Sequence, residues 1–301
     1  MRRRVLPAVA TVLLAVFAYD AVLRSLLTGL VRLPGLPGGL TVLTSIMALF
    51  SLAHAWYCLG GRLTLAFFGL SAIVSWAFEQ VGVATGLVFG AYQYTDYLGG
   101  KLGHVPLLIP LAWFMMIYPS YVIANLALER RPTGTPGGAG SLLRLAAASA
   151  AVMTVWDLVI DPILSGPQVR AWVWETGGPY YGVPIQNYLG WLATTFAVYL
   201  AYRAIEQQVA PLPASAAAAA GRIDERPAGL PAALGPVDRR VAALPVAAYG
   251  LMLAANLLSG VAPAGLAIVG LLVMGPPLAL AAWRLRRLSP GVSEPAGGRA
   301  G

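Results

Sequence analysis

The apolar positions of the chain fall in unbroken runs rather than in the spaced stripes of a soluble helix. Each run is about 20 residues long, the length a helix needs to cross about 30 Å of hydrocarbon. Runs at Val5 to Leu27, Leu40 to Cys58, Leu63 to Gln80, Val105 to Leu128, Leu142 to Ile160, Tyr188 to Tyr202, Ala242 to Ser259 and Gly265 to Trp283 predict eight spans. From about Ile205 to Arg240 the pattern breaks into the run Ala216 to Ala220, several prolines and mixed charge, which reads as a linker. The expected fold is therefore all-α, a polytopic transmembrane helical bundle. It divides into a six-span body (1–204), a linker (205–241), a two-span carboxy-terminal hairpin (242–288) and a disordered tail (289–301). The hairpin carries no acidic residue and little beyond Asn256 that does chemistry, so it reads as packing or assembly material.

Composition agrees with lipid as the solvent. With 58% hydrophobic residues, 11% charged residues and a mean hydropathy of +0.72, the chain has too little polar surface to clothe a water-soluble globule. Its net charge of +8 suggests nucleic acid only until the basic residues are placed. Cytoplasmic loops collect Lys and Arg. An amino terminus on the cytoplasmic side puts Arg2, Arg3, Arg4, Arg62, Arg130, Arg131, Arg144, Arg203, the linker arginines and Arg284, Arg286 and Arg287 inside, and leaves only Arg24, Arg32, Lys101 and Arg170 outside. One span more or fewer destroys that segregation. The expectation is a multi-pass protein of the inner (plasma) membrane with both termini cytoplasmic and no nucleic-acid partner. The start also has the outline of a signal peptide, but no small-x-small site ends its apolar run before Asp20.

A single cysteine, Cys58, forms no internal disulfide, and His54 and His104 fall on different spans without a metal-ligand cluster. Lys101, the sole lysine, falls in a loop, which excludes a retinal Schiff base within a span.

Within the body the sequence repeats weakly on itself. A shift of 78 positions lays Gly99-Gly100 on Gly177-Gly178, Val105-Pro106 on Val183-Pro184, Leu111 on Leu189, Trp113 on Trp191 and Tyr121 on Tyr199. The same shift pairs Glu79 with Asp157, Phe78 with Trp156 and Tyr94 with Trp172. The halves, about 63–128 and 142–204, each read as span, long outer loop, span in one orientation. Repeats of that kind are related by an axis along the membrane normal, with sites at their interface.

Acids and aromatics gather at the outer ends of these spans. An acid within a span costs about 2.5 to 3.5 kcal/mol on insertion scales, which marks Glu79, Asp157 and Asp161 as functional candidates. Asp157 and Asp161 are four apart and share a helical face, where two carboxylates disfavour double ionisation and keep one proton in the pair. Asp96 and Glu175, in the outer loops, read as hydrated helix ends and caps. Of the aromatics Trp76, Tyr92, Tyr94, Tyr97, Trp156, Trp172, Trp174, Tyr180 and Tyr181, most fit a headgroup belt, while Trp76 and Trp156 adjoin the acids and present faces that attract a cation.

These residues carry a resemblance. Ser75-Trp76-Ala77-Phe78-Glu79, Gly82 to Gly86, Phe89 to Asp96, Val105 to Phe114, Trp156-Asp157-Leu158-Val159-Ile160-Asp161-Pro162 and Gly177 to Tyr188 together resemble the membrane carotenoid biosynthesis family that includes the CruF-type carotenoid hydratases. The likeness runs from about His54 to Arg203. It implies addition of water to a terminal 1,2 double bond of a carotenoid, giving a tertiary alcohol, with a carotenoid in the bilayer as substrate and with other carotenoid-pathway enzymes and membrane lipid as partners. Such a reaction needs a proton donor, shelter for a tertiary cation and a positioned water, and no redox cofactor or metal. On physical grounds the donor is assigned to Asp157, tuned by Asp161, and the water-holding base to Glu79. Trp76, Trp156, Tyr94, Trp172, Tyr181 and Asn187 are the candidate substrate contacts.

Two other classes fit parts of the pattern. A proton-coupled transporter uses paired acids at a repeat interface. A membrane prenyltransferase would use Asp157-xxx-Asp161 as magnesium ligands, but a diphosphate calls for a second acidic cluster and basic neighbours that the outer face lacks. The charge segregation gives a first test. A cysteine at position 101, in a Cys58→Ser background, should react with an impermeant maleimide added outside intact cells, and one at position 217 should not; the reverse labelling would invert the topology.

Overall fold

The computed structural model describes residues 2–209 and 238–288, so the larger part of the linker and the tail lie outside the described residues. Among the described residues eight helices are packed with their connections at the two ends: α1 (Arg2–Phe17, continued through a π-helical turn Ala18–Leu23 and a short helix Arg24–Leu27), α2 (Gly39–Leu59), α3 (Gly61–Thr85), α4 (Ile109–Glu129), α5 (Ala139–Leu164), α6 (Ile185–Val209), α7 (Arg239–Leu257) and α8 (Leu266–Arg286). Seven of them are long and apolar enough to cross a membrane. The protein is an all-α polytopic bundle, with two minimal sheets in its loops.

The exception to the apolar rule is α6. Its polar residues Asn187, Thr194, Thr195, Arg203 and Glu206 are buried inside the bundle instead of facing lipid. All but Thr194, whose hydroxyl has no partner among the described residues, find hydrogen-bond partners there. Glu206 accepts from Tyr121 Oη at 2.6 Å and from Thr135 Oγ1. Arg203 donates to Thr135 Oγ1 at 3.0 Å and Ser149 Oγ at 2.7 Å, and its guanidinium lies 4.5 Å from the centre of the Tyr121 ring. Arg203, expected in an inside loop, is thus fully buried and ties α6 to the α4–α5 connection. His104 likewise lies in a loop turn and not in a span.

The central helix is α4, which packs on α2, α3, α5, α7 and α8 and is buried along most of its length. Around it the outer helices present Leu65, Ile73, Leu189, Ile268 and Leu272 outward, the surface expected where lipid is the solvent.

Positions 78 apart recur in equivalent places. α3 and α5 each start after a glycine in a positive-φ, extended conformation, Gly60 (φ 79°, ψ 163°) and Gly138 (φ 97°, ψ 147°), which a β-carbon would strain. The two long loops on the same side of the bundle, α3–α4 and α5–α6, meet in an antiparallel ladder of β1 (Tyr92–Tyr94) with β2 (Trp172–Trp174). Its register pairs Tyr94 with Trp172, which are themselves 78 apart. Gln93 pairs with Val173, and the Thr95 amide donates to the Ala171 carbonyl at 3.1 Å, so the pairing is symmetric about Tyr94 and Trp172. Trp113 and Trp191 stack at 4.1 Å between centroids with planes 7° apart.

Phe89 wedges between α3 and α6, where it meets two glycines. A β-carbon on Gly82 would lie 2.7 Å from the Phe89 ring, and one on Gly190 would lie 2.5 Å from the Val88 carbonyl oxygen and 2.7 Å from the same ring. Gly190→Ala should therefore destabilise the purified protein by about 1–3 kcal/mol through overpacking. Gly69→Ala, whose methyl meets nothing within 4 Å, should be neutral or slightly stabilising. Thermal unfolding in detergent checks both; equal midpoints would contradict the close approach of α6 to the loop.

Candidate active site

Glu79 lies in the carboxy-terminal part of α3 and is 4% exposed. The ladder positions two of its partners: β1 is short and alternates inward, outward, inward, which turns Tyr92 and Tyr94 into the bundle and Gln93 out. Both hydroxyls donate to Glu79 Oε2, Tyr94 at 2.8 Å, while Trp113 Nε1 donates to Glu79 Oε1 at 3.1 Å. An indole N–H only donates, so Glu79 is held as an acceptor by three groups from two elements. Burial first, and then the charge of Glu79, holds the Tyr92 and Tyr94 phenols well above their usual range, so both remain donors.

Asp157 and Asp161 lie on one face of α5, each 1% exposed. Asn187, in the first turn of α6, bridges them: its Nδ2 donates to Asp157 Oδ2 at 2.9 Å and to Asp161 Oδ2 at 2.6 Å. Trp172 Nε1, from β2, donates to Asp161 Oδ1 at 2.9 Å. The ladder therefore delivers a donor to each acidic group, Tyr94 to one and its register partner Trp172 to the other.

All three carboxyl groups line one cavity of about 170 Å³. Its walls at that end are aromatic, with Trp113 and Trp191 stacked and Trp156 edge-on to Trp191 at 6.0 Å. The buried indole N–H of Trp156 finds no partner among the described residues. Much of the remaining lining is apolar, through Phe17 and Ala21 of α1, Leu40 and Leu43 of α2, and Met252 and Ala255 of α7.

Of the substrate contacts expected from sequence, Tyr94, Trp156, Trp172 and Asn187 line this cavity. Two do not. Trp76 turns its indole N–H to the Leu102 carbonyl at 3.3 Å and braces the α3–α4 loop. Tyr181 is 39% exposed and donates to the Ala264 carbonyl at 3.1 Å, pinning the α5–α6 loop to the α7–α8 turn. Trp76, three residues from Glu79, lies near the same face of α3, but its indole is taken up by the loop and does not line the cavity. Asp96 is fully exposed beside Lys101 at 3.3 Å, as a hydrated loop acid is expected to be. Trp113, Trp191, Trp174 and Asn256 are not among those expected contacts, yet they line the cavity. The first two are the tryptophans that coincide on the 78-residue shift. The carboxy-terminal hairpin, which reads from sequence as packing material, contributes Met252, Ala255 and Asn256 to the lining.

A lipid-embedded helical bundle whose buried acids face an apolar, aromatic-walled cavity defines a membrane protein built to handle a hydrophobic molecule. Comparison with known families is specific: residues 39–220 match the family described as Carotenoid biosynthesis protein, and the chain belongs to it. It is also similar to a Bisanhydrobacterioruberin hydratase of Haloarcula japonica, 35% identical over 150 residues, which is 50% of this chain and 47% of that protein. The chain thus spans about half the length of the curated relative it matches. No solved structure matches.

Proposed function

We propose that the protein is a carotenoid hydratase that adds water across the terminal 1,2 double bond of a carotenoid end group. The observation that carries the reading is the convergence of Glu79, Asp157 and Asp161 on one aromatic-walled cavity that is otherwise apolar. The named activity of the Haloarcula relative supports the class of reaction.

In this reading the polyene lies along the apolar part of the cavity and its end group reaches the acids. The Asp157–Asp161 pair, joined by Asn187, holds the proton that two adjacent carboxylates share. Asp157 delivers it to the less substituted alkene carbon, the π electrons form that C–H bond, and the tertiary carbon is left cationic. Trp156 and Trp191 line the same cavity as the acids, where a ring quadrupole stabilises such a cation. Glu79, held as an acceptor by Tyr92, Tyr94 and Trp113, takes a proton from water as the oxygen bonds the tertiary carbon. That proton returns to the aspartate pair through solvent, which closes the cycle with one water consumed. The sidedness inferred from Lys and Arg places the site in the outer half of the inner membrane.

Solvent isotopes test the reaction. In heavy water the alcohol should carry one deuterium on the carbon next to the carbinol, and labelled water should supply the hydroxyl oxygen, both read by mass spectrometry. A hydroxyl derived from dioxygen would remove hydration. Flux of a solute without chemical change in any carotenoid would instead favour the proton-coupled transporter.

A further inference from the structure

The hairpin α7–α8 lies outside the 39–220 segment that matches the family, yet it closes one wall of the cavity. What seats it there is specific. Gly270 lets α8 approach closely, since a β-carbon at that position would lie 3.3 Å from Leu253 Cδ1 on α7 and 3.6 Å from Val159 Cγ1 on α5, between Asp157 and Asp161. The Tyr181 hydroxyl fixes the α7–α8 turn to the α5–α6 loop through the Ala264 carbonyl. These contacts hold the hairpin against α5 and the α5–α6 loop, and the last turns of α7 share the cavity lining with the acids. Met252 and Asn256, four residues apart on one face, both line the cavity.

Asn256 is out of place in an apolar wall. It is 7% exposed, and its Nδ2 is buried without a hydrogen-bond partner among the described residues. A buried amide donor left unpaired costs about 1–3 kcal/mol, a cost avoided if the cavity's contents supply an acceptor. A polyene has no acceptor. Water has one, and hydration requires water in this cavity.

We propose that Asn256 is the residue of the carboxy-terminal hairpin that positions the nucleophilic water, an inference that rests on the hydratase reading. Its amide donates to one lone pair of the water oxygen and leaves the other directed at the tertiary carbon, while Glu79 receives the water's proton. Without that hold the cation still forms, but it loses a proton from a neighbouring methyl group to the aspartate pair and gives an alkene that keeps the hydrogen Asp157 delivered.

The partition of the cation reads this out directly. The enzyme in proteoliposomes is given an acyclic carotenoid in heavy water, and the ratio of deuterated alcohol to deuterated recovered alkene is measured. This ratio is taken within one sample, so it does not depend on how much of a variant folds. Asn256→Leu, close in volume and without a donor, should lower the ratio by about tenfold, the equivalent of one hydrogen bond. Asn256→Ser, which restores a donor, should recover part of it. An unchanged ratio in Asn256→Leu, with or without a fall in total turnover, would overturn the role of Asn256. A wild-type enzyme that makes no solvent-derived alcohol would instead overturn the hydratase reading, so the two failures are distinguishable.

Discussion

Everything at the acid-bearing end of the bundle depends on a ladder of three residues from each of two loops. The pairing of Tyr92–Tyr94 with Trp172–Trp174 closes the cavity roof and fixes the loops that connect the two helical hairpins. It also aims a donor at each acidic group, Tyr94 at Glu79 and Trp172 at Asp161. Without the ladder, Glu79 and Asp161 would each lose donors while buried, which is costly in any low-dielectric setting. Beneath it the Trp113–Trp191 stack continues the same arrangement into the bundle, and Trp113 adds the third donor to Glu79. We propose that the ladder, the stack and the matching helix starts at Gly60 and Gly138 reflect the 78-residue repeat expected from the sequence, which pairs Glu79 with Asp157. The halves are unequal where the chemistry differs. Asp161 and Asn187 correspond to Val83 and Ile109 in the first half, so one half offers a single supported acceptor and the other a pair of acids.

The fold is largely legible in the sequence because lipid imposes a simple rule on it. Runs of about 20 apolar residues have few other readings, and the observed helices start and stop within a few residues of the runs. The largest difference is at α6, which runs on to Val209, past the expected end at Tyr202; two smaller ones fall where backbone geometry and not hydropathy decides. α3 runs on to Thr85, past the expected end at Gln80, because its stop is the left-handed Gly86. Val105-Pro106, expected to open a span, instead pairs with Lys101-Leu102 as a small hairpin before α4 begins at Ile109.

The site is legible in part. Acids in spans stand out against an apolar background, and the 78-residue shift alone pairs Glu79 with Asp157. The ladder has no such signal, since three-residue strands carry too little period to read. Nor has the contribution of α7: one asparagine in an apolar helix has no spacing or motif to mark it, and its place in the cavity lining shows only in the folded chain. Trp76 shows the converse, a residue near the acid along the chain whose indole turns away from it in space.

The account's central claim is that the carboxyl groups of the two halves act in one reaction. The most direct measurement is pigment analysis of a host that accumulates an acyclic carotenoid and expresses the wild type, Asp157→Asn, Glu79→Gln, the double variant or Asp96→Asn. Each site variant nearly preserves shape while removing a proton donor or acceptor, and general acid–base catalysis is worth about 10² to 10⁴ in rate. The account predicts loss of that order in each single variant, a double variant no worse than the slower single one, and near-normal alcohol from Asp96→Asn. Near-normal alcohol from Asp157→Asn or Glu79→Gln would contradict it.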